Sequence, residues 1–223
     1  MASTTAYEQP SISRAWDGVK DHIPTIFVVW FIAGLLWGIG YLINLIFIGF
    51  ASNTYDSFGS SLLMISGSLA SLPLYILSSL VGIMLSAIPA IYYESGQVVT
   101  VQGAFSELMK RPLRYLAAGI LFSVALTIGF LFCILPGIAI AFVTPVYVNR
   151  VFVTDQSILG AFGSSFQSVY RSPNGMSFVG IQLLSAIFVA IVTVCTCGLG
   201  GFVAIPILLF YIQNLAYNKG VIS

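Results

Sequence analysis

Charged side chains are scarce in this sequence. Only 7% of its 223 residues are Asp, Glu, Lys or Arg, whereas 58% are hydrophobic. A soluble domain carries roughly 25% charged residues, because a surface with far fewer cannot keep much apolar area in water. The shortage of charge therefore excludes an ordinary soluble domain and predicts an integral membrane protein.

Cysteine is also rare. The three cysteines, Cys133, Cys195 and Cys197, lie within or at the ends of apolar runs. Their odd number argues against a disulfide framework, and no histidine or second cysteine pair stands near them to complete a metal site. We expect all three to be small apolar side chains in the bilayer.

The groups that catalysis or ion transport would need are missing as well. Enzymes require titratable side chains that converge on one point. The single histidine, His22, follows Asp17 and Asp21 at the end of a short polar segment, where we expect all three to be solvated. No apolar run has an ionisable residue near its centre, as an ion path would require. We predict no enzymatic activity, no cofactor and no metal.

Four long apolar runs make up most of the chain, and they occupy residues 25–50, 61–93, 113–153 and 176–217. The first is too long for the hydrophobic region of a cleavable signal peptide, about 7–15 residues, so we expect a retained transmembrane helix. The second is longer than one span requires. Its first third, residues 61–72, is either a re-entrant segment or the extension of a long tilted helix.

The third and fourth runs are each twice as long as one span. A hydrocarbon core of about 30 Å takes roughly 20 helical residues. Pro136-Gly137 lies at the centre of the third run and Gly198–Gly201 at the centre of the fourth, and such residues allow a tight reversal. The chain is therefore predicted to be an all-α integral membrane protein, with six transmembrane helices arranged as three tandem helical hairpins.

A short amphipathic pattern precedes each hairpin. Ser11, Thr100 and Ser157 each open a segment with apolar residues at helical spacing, and each segment closes at a proline. Such hydroxyl residues are typical helix N-caps. About ten residues cannot cross a bilayer, so we expect three interfacial amphipathic helices, the first ending at Pro24. Residues 1–10 are expected to be a frayed tail.

The order of amphipathic helix, hairpin and proline-bearing return helix recurs along the chain. We interpret residues 1–223 as a single membrane domain with an internal repeat. The repeat units are placed at about residues 11–93, 100–153 and 157–219, and the first carries an insertion.

The basic residues all fall on one predicted side of the membrane: Arg14, Lys20, Lys110, Arg111, Arg114, Arg150, Arg171 and Lys219. The connections within the hairpins hold one charge, Asp56. The excess of Lys and Arg in cytoplasmic segments of membrane proteins then predicts that both termini are cytoplasmic. We expect a multi-pass protein of a bacterial inner membrane or a related membrane.

Two sets of residues are candidates for contacts inside the membrane. Five amides interrupt the apolar runs, and in lipid they need partners: Asn44, Asn149, Gln182, Gln213 and Asn214. They either form interhelical hydrogen bonds or line a polar path for a small solute or a lipid headgroup. Small residues that let helices approach closely form the second set: Gly34, Gly38, Ser78, Gly82 and Ser86.

Some motifs resemble those of a known group of proteins. They are the opening Ser11–Trp16, the hairpin sequence Cys133–Gly137, and the Pro-aromatic and Ala-Phe stretches that follow it. The chain resembles an uncharacterised bacterial polytopic membrane protein family, similar to the membrane domain of some glycerophosphoryl diester phosphodiesterases. The match is best over about residues 100–217. The resemblance implies six membrane-embedded helices and transfers no catalytic residue, since no catalytic domain is recognised.

These patterns favour a non-catalytic membrane protein that acts as a scaffold or accessory subunit of a larger membrane assembly. Reactive groups are lacking, while long apolar faces and small residues suit helix–helix contact. The alternative is a transporter or pore for a small neutral solute or lipid, lined by the amides. The expected partners are membrane lipids, together with other proteins or further copies of the chain in the membrane. No nucleic acid partner is expected.

Cysteine labelling tests the predicted orientation. In a background lacking the three native cysteines, Asn53→Cys, close to Asp56, should react with a membrane-impermeant maleimide added outside intact cells. Lys110→Cys should react only after the membrane has been opened. The reverse pattern of labelling would contradict the orientation.

Overall fold

The computed structural model describes residues 2–222, and all regular structure among them is helical. A short 3-10 helix, Thr4–Tyr7, precedes nine α-helices in this range: α1 (Ile12–Ser52), α2 (Ser57–Gly82), α3 (Met84–Ser95), α4 (Val101–Lys110), α5 (Pro112–Phe132), α6 (Ile134–Val153), α7 (Ile158–Arg171), α8 (Gly175–Cys195) and α9 (Gly201–Asn218). With α2 and α3 taken together, six helical segments are long and apolar enough to cross a membrane. The predicted all-α, six-helix membrane fold is confirmed.

The described chain divides into two compact units. One comprises residues up to Ile26 and from Leu85 onward, and the other is Phe27–Met84. In the first unit α5 packs on α6, α8 packs on α9, and α6 contacts α9. The two hairpins therefore meet through their return helices, α6 and α9. The threefold repeat stays a prediction.

Burial follows this arrangement. In the most apolar 18-residue window of each helix, 39% of α6 and 50% of α9 is buried, against 17% of α5 and 6% of α8. Large apolar side chains such as Phe132 and Phe188 are exposed on the outer helices. An apolar outer surface is stable in lipid, so the return helices form the core of this unit and the outer helices suit the bilayer.

The second unit is held by close contacts between α1 and α2. Ser78 Oγ donates a hydrogen bond of 2.8 Å to the carbonyl oxygen of Ala33. A Cβ placed on Gly40 would lie 3.0 Å from Tyr75 Cε1, so glycine permits the approach there. Asp56 begins α2 by accepting bonds from the N–H groups of Phe58 and Gly59. Residues 61–72 continue α2 as regular helix, which decides between the two predicted alternatives.

The predicted helix starts are confirmed. Ser11, Thr100 and Ser157 each accept a hydrogen bond of 3.1 to 3.2 Å from the N–H three residues later. Pro112 ends the α4 segment and begins α5. Pro24, however, does not end a helix: α1 runs through it to Ser52, so this prediction was wrong. Proline frees the carbonyl four residues earlier. Here that residue is the exposed Lys20, where water can replace the missing partner.

The reversal in the third apolar run was predicted three residues too late. The helix breaks at Cys133, and Pro136-Gly137 lies in the first turn of α6. Proline is tolerated there because a first-turn N–H has no helical partner. A Cβ on Gly129 would lie 3.0 Å from the Gly137 Cα, so this glycine pair lets α5 and α6 approach. The fourth run reverses at residues 196–200, as predicted.

The N-terminal tail is docked rather than frayed, which corrects the prediction. The N–H of Ser3 donates to the carbonyl oxygen of Tyr93 over 3.0 Å. Asn214 Nδ2 donates to the carbonyl oxygens of Ala6 at 2.9 Å and Glu8 at 3.3 Å. Ala6 is completely buried. A buried amide on α9 thus finds its acceptors in the backbone of the tail.

Replacing Asn214 with leucine should release this segment. The loss of the donor leaves buried backbone acceptors unpaired, which costs about 1–3 kcal/mol of unfolding free energy. We expect faster amide hydrogen exchange in residues 3–8 and a lower midpoint of denaturation in detergent. Asn53→Leu, in the exposed turn before α2, is the control and should change neither. Unchanged exchange in the tail of Asn214→Leu would contradict this role.

Candidate functional site

A cavity of about 230 Å³ lies between α3, α6, α8 and α9 of the first unit. Its lining carries no charged side chain. It is apolar apart from the hydroxyls of Ser86 and Thr144 and the amides of Gln182 and Gln213. The other lining residues are Ala141, Phe142, Pro145, Ala186, Leu208, Leu209 and Ile212. The cavity is therefore suited to an uncharged molecule.

Proline shapes the α6 wall of this cavity. Pro145 has no N–H, so the carbonyl of Ala141 loses its usual helical partner. Thr144 Oγ1 supplies a replacement by donating a 2.6 Å hydrogen bond to that oxygen. The carbonyl that Pro145 leaves without a donor is therefore hydrogen-bonded within α6 itself, as a membrane interior requires.

The two glutamines of the lining have unpaired atoms. Gln182 Oε1, on α8, and Gln213 Nε2, on α9, are both buried and have no hydrogen-bond partner within residues 2–222. Gln213 as a whole is only 2% exposed. An unpaired buried amide atom costs about 1–3 kcal/mol. One free acceptor and one free donor thus belong to side chains that line the same cavity.

The other predicted amides are placed differently. Asn149 Nδ2 donates a 2.8 Å hydrogen bond to Tyr217 Oη, which in turn donates to Glu94 Oε2 at 3.0 Å. Asn214 holds the N-terminal tail. Asn44 is half-buried on α1, in the second unit. The structure therefore separates two structural amides of the first unit, Asn149 and Asn214, from the two that line the cavity.

The predicted small-residue contacts are also divided. Ser78 bonds to α1, and Ser86 lines the cavity. Beside Gly34, Gly38 and Gly82 the space is open: no neighbouring heavy atom of the described chain comes within 4 Å of a Cβ built at these positions. Close approach of helices occurs instead at glycines such as Gly40, which the sequence pattern did not single out.

His22 is buried, so the prediction that it is solvated was wrong. Its Nδ1 donates to the Gly18 carbonyl oxygen at 2.6 Å, and its Nε2 accepts the N–H of Val99 at 2.9 Å. The signal was present in the sequence, because Ala15, Val19 and His22 share one face of the helix. Asp17 and Asp21 are exposed, as predicted. Within residues 2–222, no three His, Cys, Asp or Glu side chains are grouped to hold a metal ion.

A larger cavity, of about 360 Å³, lies along α8 and α9 and includes Ile12 and Tyr211. None of its lining side chains has a buried polar atom without a partner in the part of the chain that the structure describes. Its chemistry therefore gives little basis for selecting a ligand, and the glutamine-lined cavity is the stronger candidate.

Comparisons with protein-family models, with curated proteins and with solved structures find no match to this chain. The resemblance to the membrane domain of a phosphodiesterase family stays a prediction.

Two buried amides that are equally inaccessible should respond oppositely to replacement. Asn149 and Gln213 are each 2% exposed, but only Asn149 has its amide nitrogen bonded. Asn149→Leu should lower the unfolding free energy by about 1–3 kcal/mol, whereas Gln213→Leu should leave it unchanged or raise it. Unfolding by denaturing detergent measures both. An equal loss in the two variants would contradict the assignment of Gln213 as unpaired.

Proposed function

We propose that this chain is a non-catalytic integral membrane protein that binds a small neutral molecule in its glutamine-lined cavity and carries it across the membrane. The observation that supports this is the pair of unpaired amide atoms, Gln182 Oε1 and Gln213 Nε2, on one cavity. A bound molecule that supplies their missing partners would offset the cost of burying them.

The chemistry of the lining supports a neutral ligand. An ion transferred into a cavity without a counter-charge would lose its hydration without compensation. The cavity is also smaller than the roughly 300–1,000 Å³ typical of sites for drug-sized ligands. The proposed cargo is therefore uncharged and small. The lining also lacks the converging titratable groups that catalysis would use.

We also propose that the basic end of the bundle faces the cytoplasm. Arg111 pairs with Asp155, and Arg114 donates to the carbonyl oxygens of Val151 and Thr154. These contacts link the start of α5 to the end of α6. Arg111 and Arg114 therefore lie at the end of the hairpin where α5 begins and α6 ends. Because Lys and Arg are in excess in cytoplasmic segments of membrane proteins, this placement supports a cytoplasmic location for that end.

The accessory-subunit hypothesis is the second candidate. It is supported by the open space beside Gly34, Gly38 and Gly82, where a helix of another protein could approach the backbone closely. This proposal concerns a different part of the chain and does not depend on the cavity.

Filling the cavity tests the carrier proposal. Ala186 lines it, whereas Ala190 lies one turn further along α8 and is exposed. In proteoliposomes, Ala186→Leu should lower protein-dependent uptake of labelled acetamide or butanamide by about tenfold, because the added side chain takes the space of the ligand. Ala190→Leu should retain uptake within about twofold, since it adds the same bulk outside.

Equal uptake in the two variants, or wild-type uptake no faster than in protein-free vesicles, would contradict the carrier proposal. If the wild type also retained a protein partner at fixed stoichiometry in native mass spectrometry, the accessory role would be the better explanation.

A further inference from the structure

We infer that the cavity selects molecules in which one group both donates and accepts a hydrogen bond, namely a carboxamide or a hydroxyl, on a short apolar body. This inference rests on the proposed function and specifies its ligand. It follows from the identity of the two unpaired atoms, an acceptor on Gln182 and a donor on Gln213.

The two glutamines stand on the two helices of one hairpin. Gln182 belongs to α8 and Gln213 to α9, and these helices pack directly against each other. Both side chains line the cavity, so each unpaired atom belongs to a residue of its wall. A single ligand group that donates to Gln182 Oε1 and accepts from Gln213 Nε2 would satisfy both atoms at once. A group that only accepts would leave Gln182 unpaired.

Thr144, another polar group of the lining, competes weakly for the ligand. The hydroxyl hydrogen of Thr144 is already committed to the Ala141 carbonyl oxygen. That bond also occupies the carbonyl that Pro145 leaves without its helical donor. The two amides and Ser86 are therefore the groups left to contact the polar part of the ligand, and the amides carry the two buried unpaired atoms.

The rest of the lining determines the body of the ligand. Phe142, Leu208, Leu209 and Ile212 offer apolar surface without a charge beside it. Burying apolar ligand surface against these side chains is favourable. A ligand with several polar groups would leave most of them unpaired, so one polar group on a short apolar body fits best.

Binding of isomer pairs tests the selection. Butanamide and N,N-dimethylacetamide have the same formula, but only the first donates from nitrogen. Butan-1-ol and methyl propyl ether form a second pair, in which only the alcohol donates. Labelled probes are equilibrated with the purified full chain in detergent, with protein-free micelles as the blank. The donating isomer of at least one pair should bind about 5- to 100-fold more tightly, the range that one unpaired buried group implies.

The two pairs also distinguish the chemical sources. A preference confined to the first pair identifies a carboxamide ligand, and one confined to the second identifies an alcohol. A preference in both pairs identifies the donor–acceptor group itself as the selected feature.

Glutamine variants assign the selection to the proposed atoms. Gln182→Met removes the acceptor with little change in size, and Gln213→Met removes the donor. Gln182→Met should reduce the isomer preference to less than about twofold, because only the donating isomer uses that acceptor, whereas Gln213→Met should weaken both isomers of a pair and keep the preference. Gln97→Met, on an exposed position outside the cavity, should keep the full preference. If a variant fails to fold, the side-chain carbonyl ¹³C shift of Gln182 in the wild type should still change with butanamide or butan-1-ol, and not with their isomers.

Equal binding of the isomers in both pairs would overturn the inference. So would a preference that survives in Gln182→Met, because it would arise elsewhere. If Ala186→Leu abolishes uptake while the isomers bind alike, the carrier proposal stands and the donor–acceptor selection fails. If no probe binds and no uptake is seen, the carrier proposal itself fails.

Discussion

The need to pair every polar group inside an apolar bundle is the constraint on which this structure depends. Water is absent from a bilayer core, so backbone and side-chain groups must find partners within the protein. Thr144 replaces the donor that Pro145 removes, and Ser78 joins α2 to the backbone of α1. Asn214 orders the N-terminal tail by the same requirement. Side-chain hydrogen bonds thus decide where the helices meet and where the tail lies.

The cavity amides are exceptions to this constraint, as are Arg150 Nη1 and Ser172 Oγ, which do not line the cavity. Buried polar groups in proteins are nearly always bonded, so an unpaired one needs an explanation. Gln182 and Gln213 belong to neighbouring helices and line the same space, while the amide nitrogens of Asn149 and Asn214 are bonded within the protein. This contrast within one class of residue supports the proposal that the cavity binds a ligand. It also shifts our preference from a scaffold toward the binding of a neutral ligand.

Features that depend only on residues close together in the sequence were predicted correctly. An N-cap needs only a hydroxyl and an N–H three residues away, so Ser11, Thr100 and Ser157 could be identified directly. Proline was less informative, because its effect depends on its surroundings. Pro24 lies within a continuous helix whose freed carbonyl is exposed, and Pro136 occupies a first turn where its missing N–H costs nothing. The burial of His22 was visible in its helical spacing but was masked by the charged residues beside it.

The all-α class, the six apolar segments and the five amides that need partners can be read from the amino-acid sequence, because hydropathy and helical periodicity are properties of the chain alone. Only the tertiary structure decided which amides are paired. A partner such as Tyr217 for Asn149, or the backbone of Ala6 for Asn214, is distant in sequence. The position of an acceptor in space depends on how helices pack, and no local pattern records that. The same packing leaves Gln182 and Gln213 unpaired on one cavity.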